Sequence, residues 1–167
     1  MATDLVQNMS GLDVSKITDY LYLSAWPKGE HAELIQSLNV RLILSMNWRR
    51  PSKLLMRAPL RLLWLPTFDT PFTPIPMSVL RRGVEAALPV IRDGWSVLAH
   101  CQYGIHRSAA MAACVLVGMG YSMDGAMRLI KEHRPIADPY IWYIRRRIEL
   151  FARYWSEAPE ARLTDVK

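Results

Sequence analysis

The stretch Val97-Leu98-Ala99-His100-Cys101-Gln102-Tyr103-Gly104-Ile105-His106-Arg107-Ser108 runs from an apolar strand-length segment through a short loop into a helix. Such a loop turns successive backbone N–H groups toward the positive end of the helix dipole and makes an anion site that needs no side chain. Gly104, at mid-loop, supplies the backbone angle that the concavity requires. Arg107 adds a planar, permanently charged fork suited to two phosphate oxygens at once. Cys101 opens the cradle. Its thiol is expected to ionise below the free value of about 8.5, because comparable surroundings give roughly 3.5–7.5. A thiolate beneath a bound phosphate is a nucleophile aimed at phosphorus.

Upstream of this stretch, short apolar runs alternate with helical spacing. Tyr20–Ala25, Val40–Met46, Arg61–Leu65 and Trp95–His100 have strand length. Glu30–Leu38 carries one apolar stripe, and Met77–Arg92 another, opening after Pro74-Ile75-Pro76 and closing at Asp93-Gly94. Pro89 within it predicts a kink or break. Downstream the chain is helical throughout: Ser108–Gly118, Ser122–His133 and Asp138–Trp155. Strands alternating with helices, then helices alone, imply an α/β fold. The expectation is a central, mostly parallel sheet of about four to five strands, flanked by helices, with the continuous apolar strands at its centre.

The 167 residues suit one domain, with a core over about residues 17–155. Residues 1–13 and the tail Ser156–Lys167 read as frayed. Half the residues are apolar and 22% charged, which excludes disorder and fibrous repeats. A net charge of +6 favours anionic partners without choosing among them. Cys101 and Cys114 do not make a disulfide framework, no secretory signal is visible, and no apolar stretch reaches membrane-spanning length. The expected location is cytoplasmic. No Cys/His cluster has zinc-ligand spacing, so neither metal nor cofactor is expected. No nucleic-acid motif appears either.

His-Cys-x-x-Gly-x-x-Arg-Ser, at His100–Ser108, resembles the signature of cysteine-dependent protein tyrosine phosphatases. Five fixed positions match, an event on the order of one in ten thousand by chance at ordinary composition. The short chain and helical C-terminal half resemble the dual-specificity branch, over about Ile17–Trp155. The resemblance implies Cys101 as nucleophile and Arg107, with Gln102, Tyr103, Gly104, Ile105 and His106, as the phosphate-binding loop. It implies that His100 braces the loop and tunes the thiolate, although a satisfied core histidine fits the same position. Ser108 matches the hydroxyl that assists breakdown of the phosphocysteine, and helix capping suits it equally.

The segment Leu65-Pro66-Thr67-Phe68-Asp69-Thr70-Pro71-Phe72 resembles the family's general-acid loop, and Asp69 stands 32 positions before Cys101, where the family has its acid. A turn-forming role is the plainer alternative for Asp69, and Asp93 is the other acid candidate. His133-Arg134-Pro135 and Asp138-Pro139 resemble the turn before the family's last helix, but Tyr140 stands where many members have Asn, so no role is carried over to that turn. Cys114 and the methionines Met111, Met119, Met123 and Met127 read as core. Arg145-Arg146-Arg147 reads as a solvated face. Trp48-Arg49-Arg50 and Lys53, in the loop after the second predicted strand, suit the rim of a cleft.

The implied activity is hydrolysis of phosphotyrosine, and of phosphoserine or phosphothreonine, in phosphorylated protein substrates. The alternatives are a phosphoinositide or RNA 5′-phosphate phosphatase on the same scaffold, and a catalytically silent phospho-binding module. Lipid-directed relatives tend to carry lysines inside the signature loop, which is not the case here. Silent relatives usually lose the Cys or the Arg, and this chain keeps both. Oligomeric state is not legible.

Overall fold

The structure, a computed structural model, describes residues 11–158. A five-stranded sheet has the order β1-β2-β5-β3-β4, with β1 at Val14–Lys16, β2 at Leu21–Ser24, β3 at Val40–Asn47, β4 at Arg61–Thr67 and β5 at Ser96–His100. Only β1 runs antiparallel, to β2; the pairs β2–β5, β3–β5 and β3–β4 are parallel. All five residues of β5 are buried, as a central parallel strand requires. Its side chains alternate: Val97 and Ala99 join one core, Leu98 the other.

The larger core lies between the sheet and four helices: α2 (Met77–Arg92), α3 (Arg107–Gly118), α4 (Met123–His133) and α5 (Trp142–Glu157). Helix α3 is apolar nearly all round, and Ala109, Ala110, Met111, Ala112, Ala113 and Cys114 are fully buried. A helix of that composition belongs at the centre of a layer, where its alanines let neighbours approach. The opposite face is covered by the short α1 (Ala32–Ser37), whose Ile35 packs with Val40, Ile43, Leu55 and Leu98.

Several expectations change. The helix expected at Glu30–Leu38 is a 3-10 turn, Gly29–His31, followed by α1. The long last helix starts at Trp142 rather than at Asp138, because the Asp138 carboxylate accepts the Tyr140 and Ile141 N–H groups in a turn. Pro89 does not break α2, and the Asp93 N–H closes the last turn on the Pro89 carbonyl at 3.0 Å. Pro89 costs only the bond to the carbonyl of Glu85, and both residues lie on the solvent side, where water replaces it. Residues 11–13 are not frayed: Leu12 is buried and Asp13 is paired with Arg134. Strand β1, unread in the sequence, follows directly. Ser156 and Glu157 complete α5. The frayed segments expected at residues 1–10 and 159–167 lie outside the described residues.

In register, Ser24, Ser45 and His100 line up across the three central strands. The C-terminal ends of all the parallel strands therefore meet at one edge, where ligands bind in open α/β sheets. Cys101, the loop Gln102–Arg107, Ser108 and Asp69 lie in segments leaving that edge, whereas Asp93 lies at the other end of β5.

Candidate active site

The turn between β5 and α3 is gripped from outside by its carbonyls. Gln102 O accepts from the Trp26 N–H at 3.1 Å, and Ile105 O from the Asp138 N–H at 2.9 Å. Between them, Tyr103 O and Gly104 O accept from the Arg134 guanidinium at 3.3 and 2.8 Å. In a planar trans peptide the N–H points opposite to the carbonyl. The N–H groups of Tyr103, Gly104, Ile105 and His106 are thereby turned to the inner side, which is the anion cradle expected from the sequence. Gly104 is required twice over. Its φ is +65°, and a Cβ would lie 2.6 Å from Arg134 Nη2 and 2.7 Å from the Ser24 carbonyl.

Arg134 is the strut of this loop, and sequence reasoning gave it no role. It is 2% exposed and pairs through both terminal nitrogens with Asp13, at 2.8 and 2.7 Å, with a further bond to Ser15 Oγ at 3.1 Å. The forked geometry fixes the guanidinium plane and aims its Nε at the Gly104 carbonyl. Asp13 lies 121 positions away in the chain, so no local pattern signals the pair.

Inside the cradle Cys101 is buried, with Sγ 3.2 Å from Ser108 Oγ. Arg107 is also buried. Its Nη1 donates to the carbonyls of Thr67 (2.7 Å) and Met46 (3.2 Å), at the ends of β4 and β3. Its Nε is buried without a protein partner. A buried guanidinium donor left unpaired is costly, and an anion in the cradle is the partner that would satisfy it. His100 is buried with Nδ1 3.3 Å from the Cys101 carbonyl and the Trp26 ring edge-on at 6.0 Å. Burial pushes its pKa down to about 4; the bond to Cys101 opposes the fall and Arg107 adds to it. His100 is thus a neutral brace at ordinary pH, with no charge of its own to offer the thiol.

Asp69 follows β4 and reaches the same loop. Its Oδ2 lies 2.9 Å from His106 Nδ1, and its Oδ1 accepts from the Tyr143 hydroxyl at 2.7 Å. Asp93, the other acid candidate, caps the C-terminus of α2 before β5 begins. The whole of β5, about 16 Å at 3.2–3.4 Å per residue, separates it from Cys101. Tyr143 was missed in the sequence because it sits in an arginine-rich amphipathic pattern that reads as a helix face. Burial first, then the bond to Asp69, pushes its phenol above the ordinary range.

The rim is aromatic. Trp48 stacks on Phe68 with ring centroids 6.4 Å apart, and Arg49 lies over Trp48. With Tyr103 and Trp142, these side chains are more than half exposed. The basic, aromatic loop after β3 thus borders the loop that carries Asp69. Asn47 holds the Gln102 side chain at 2.8 Å. Arg147 departs from the solvated face expected for the arginine run: it donates to the Ile75 carbonyl and ties α5 to the end of the acid loop. Burial pushes the Cys114 thiol up, in keeping with its reading as core. No helix among the described residues is long and apolar enough to cross a membrane.

Residues 21–151 match the dual specificity phosphatase catalytic domain. The chain is similar to mouse dual specificity phosphatase 28, 31% identical over 113 residues that cover 66% of this chain and 67% of that protein. It is similar also to the dual specificity protein phosphatase TpbA of Pseudomonas aeruginosa, 32% identical over 70% of this chain; there it spans about half the length of its relative, 52%. Among solved structures, PTPMT1 in complex with PI(5)P superposes with a TM-score of 0.78 at 24% identity, over 86% of this chain and 97% of that one. That last likeness is one of fold.

Proposed function

The chain belongs to the dual specificity phosphatase catalytic-domain family, and on that premise we propose that it hydrolyses phosphotyrosine, and phosphoserine or phosphothreonine, in proteins by way of a phosphocysteine at Cys101. The observation that carries the assignment is the inverted loop Gln102–Arg107, its carbonyls bound outside and its amides turned inward above a buried thiol.

Cys101 Sγ, as the thiolate, attacks phosphorus. The P–S bond forms as the P–O bond to the leaving oxygen breaks, and Asp69 gives that oxygen its proton. Water then attacks the phosphocysteine. Asp69 takes the water's proton, the P–S bond breaks, and the departing thiolate receives the Ser108 hydroxyl hydrogen bond. Loop amides and Arg107 neutralise the three phosphoryl oxygens through both steps, and such preorganised donors supply most of the barrier lowering. His100 acts by shape, holding the start of the loop. The exposed rings of Trp48, Phe68 and Tyr103 suit the side walls of a site for a phosphorylated aromatic residue. A thiol nucleophile works in a reducing compartment, which supports a cytoplasmic setting.

The deciding experiment is a substrate panel: phosphotyrosine, phosphoserine and phosphothreonine peptides beside phosphoinositides and a 5′-phosphorylated RNA, each with and without chelator. Phosphotyrosine peptide is expected to be turned over fastest, and chelator to have no effect. Preference for lipid or RNA would move the assignment to that substrate. Phosphate binding without turnover would make the domain a silent module.

A further inference from the structure

The acid does not stand alone. Asp69, His106 and Tyr143 form a closed group: Oδ2 to His106 Nδ1 at 2.9 Å, Oδ1 to the Tyr143 hydroxyl at 2.7 Å, and that hydroxyl to His106 Nδ1 at 3.3 Å. The imidazole and phenol rings meet edge-to-face at 5.9 Å. The three residues come from three segments: the loop after β4, the phosphate loop and the first turn of α5. His106 occupies a variable position of the signature loop, and neither it nor Tyr143 is used by the two steps described above.

We propose that Tyr143 and His106 are positioning residues for the Asp69 carboxyl, docking the acid loop onto the phosphate loop before substrate arrives and fixing which oxygen carries the proton. This inference rests on the assignment of Asp69 as the acid. Tyr143 holds its proton at working pH and so donates to Oδ1 throughout. An oxygen already accepting a strong bond is the poorer place for the acid's own proton, which leaves Oδ2 to carry it. A 2.9 Å contact between a carboxyl oxygen and an imidazole nitrogen needs one proton between them. His106 thereby holds Oδ2 while Tyr143 holds Oδ1. When substrate binds, the leaving oxygen takes the place of Nδ1 as the partner of Oδ2.

Placement of α5 makes the arrangement rigid. Asp138 binds the loop carbonyl of Ile105 with its N–H and caps the turn into α5 with its carboxylate. Tyr143 therefore moves with the phosphate loop. The acid is clamped between two parts of one body.

The test uses two esters, phenyl phosphate and an aryl phosphate with a strongly acidic phenol, whose departure needs little protonation. Tyr143→Phe removes one hydroxyl and is expected to lower kcat on phenyl phosphate about tenfold, the upper scale of one neutral hydrogen bond. It should leave the acidic ester and the inhibition constant for vanadate within twofold. His106→Leu should also slow phenyl phosphate more than the acidic ester, and His106→Asn, which keeps a polar partner for Oδ2, should recover part of that difference. In an Asp69→Asn background neither Tyr143→Phe nor His106→Leu should have a further effect, since residues acting through one group are not additive. Equal slowing of both esters by Tyr143→Phe, or additivity with Asp69→Asn, would overturn the positioning role while leaving Asp69 as acid. If Asp69→Asn alone slows both esters equally, the acid assignment fails and this inference with it.

Discussion

The two halves of the site are built on different principles. The phosphate loop is held at its backbone: strand β5 enters it, helix α3 leaves it, and its carbonyls are bound by the Trp26 and Asp138 amides and by the Arg134 guanidinium. Among the described residues, the side chains that bond the Asp69 carboxyl come from elsewhere, His106 and Tyr143. In the function proposed above, affinity for phosphate would rest chiefly on loop backbone, and proton donation on a few replaceable side chains. Substitutions on the two sides should separate cleanly in their kinetics.

The largest effect falls on the nucleophile. Cys101→Ser should lower turnover on the order of 10⁴-fold or more, the scale seen when a catalytic nucleophile is removed. Vanadate should still bind it with near-normal affinity by calorimetry, because the cradle is untouched; loss of binding together with turnover would show that the loop depends on the thiol. Asp69→Asn comes next, with a loss of roughly 10²–10⁴-fold on phenyl phosphate and little on the ester with an acidic phenol. Its vanadate affinity should be unchanged, and a large fall there would merge the two halves. Arg107→Lys should cost about 10²–10³-fold in kcat/KM on both esters alike, since a point charge neither forks around phosphate nor spans the Thr67 and Met46 carbonyls. A Lys variant of normal activity would make Arg107 a structural residue only.

Two stability measurements probe the phosphate side. His100 titrates at about 4 when folded and near 6.5 when unfolded. Between these values the unfolded chain binds more protons, so stability should rise with pH through that window and be full above it. The change amounts to about 3 kcal/mol, read as the urea midpoint against pH. His100→Asn should flatten this slope, and an unchanged slope would place the titration elsewhere. Smallest is Arg134→Met, expected to cost about 1–3 kcal/mol for the lost buried bonds and to weaken vanadate binding severalfold. Weakened stability with intact vanadate affinity would show that the loop keeps its shape without the strut.

The signature motif and the strands that frame it were legible because both are local. A run of three apolar residues, Val97-Leu98-Ala99, a glycine with a positive φ and a helix start lie within Ser96–Ser108, and each follows from its own neighbours. The place of Asp69 beside this loop follows from the family resemblance, through its distance along the chain from Cys101. What escaped was made of distant pairs. Strand β1 is three residues long, too short to show a period, and exists through its ladder with β2. Arg134 finds Asp13 across 121 positions, and Tyr143 finds Asp69 across 74. In each case the residue type fitted a plainer surface or turn pattern, and only the meeting of segments gave it work. The break predicted at Pro89 in α2 is absent for a related reason: its cost depends on which side of the helix faces water, which a position in a sequence does not state.

The strand order carries a consequence for how the protein is made. Strand β5 lies at the middle of the sheet, between β2 and β3, yet it is the last of the five to leave the ribosome. Until residue 100 has emerged, β2 has no parallel neighbour, and β3 is paired on one side only. The bonds that shape the phosphate loop wait longer still, for Arg134 and Asp138. At about 5–20 residues per second, the nascent chain carries an open seam in its sheet for seconds, with Leu21, Leu23, Ile43 and Leu44 uncovered along it. Closing that seam therefore comes before the phosphate-binding loop is complete, by the time taken to make the chain from His100 to Asp138. A chain stalled before its last helices would thus lack the loop's outer grip.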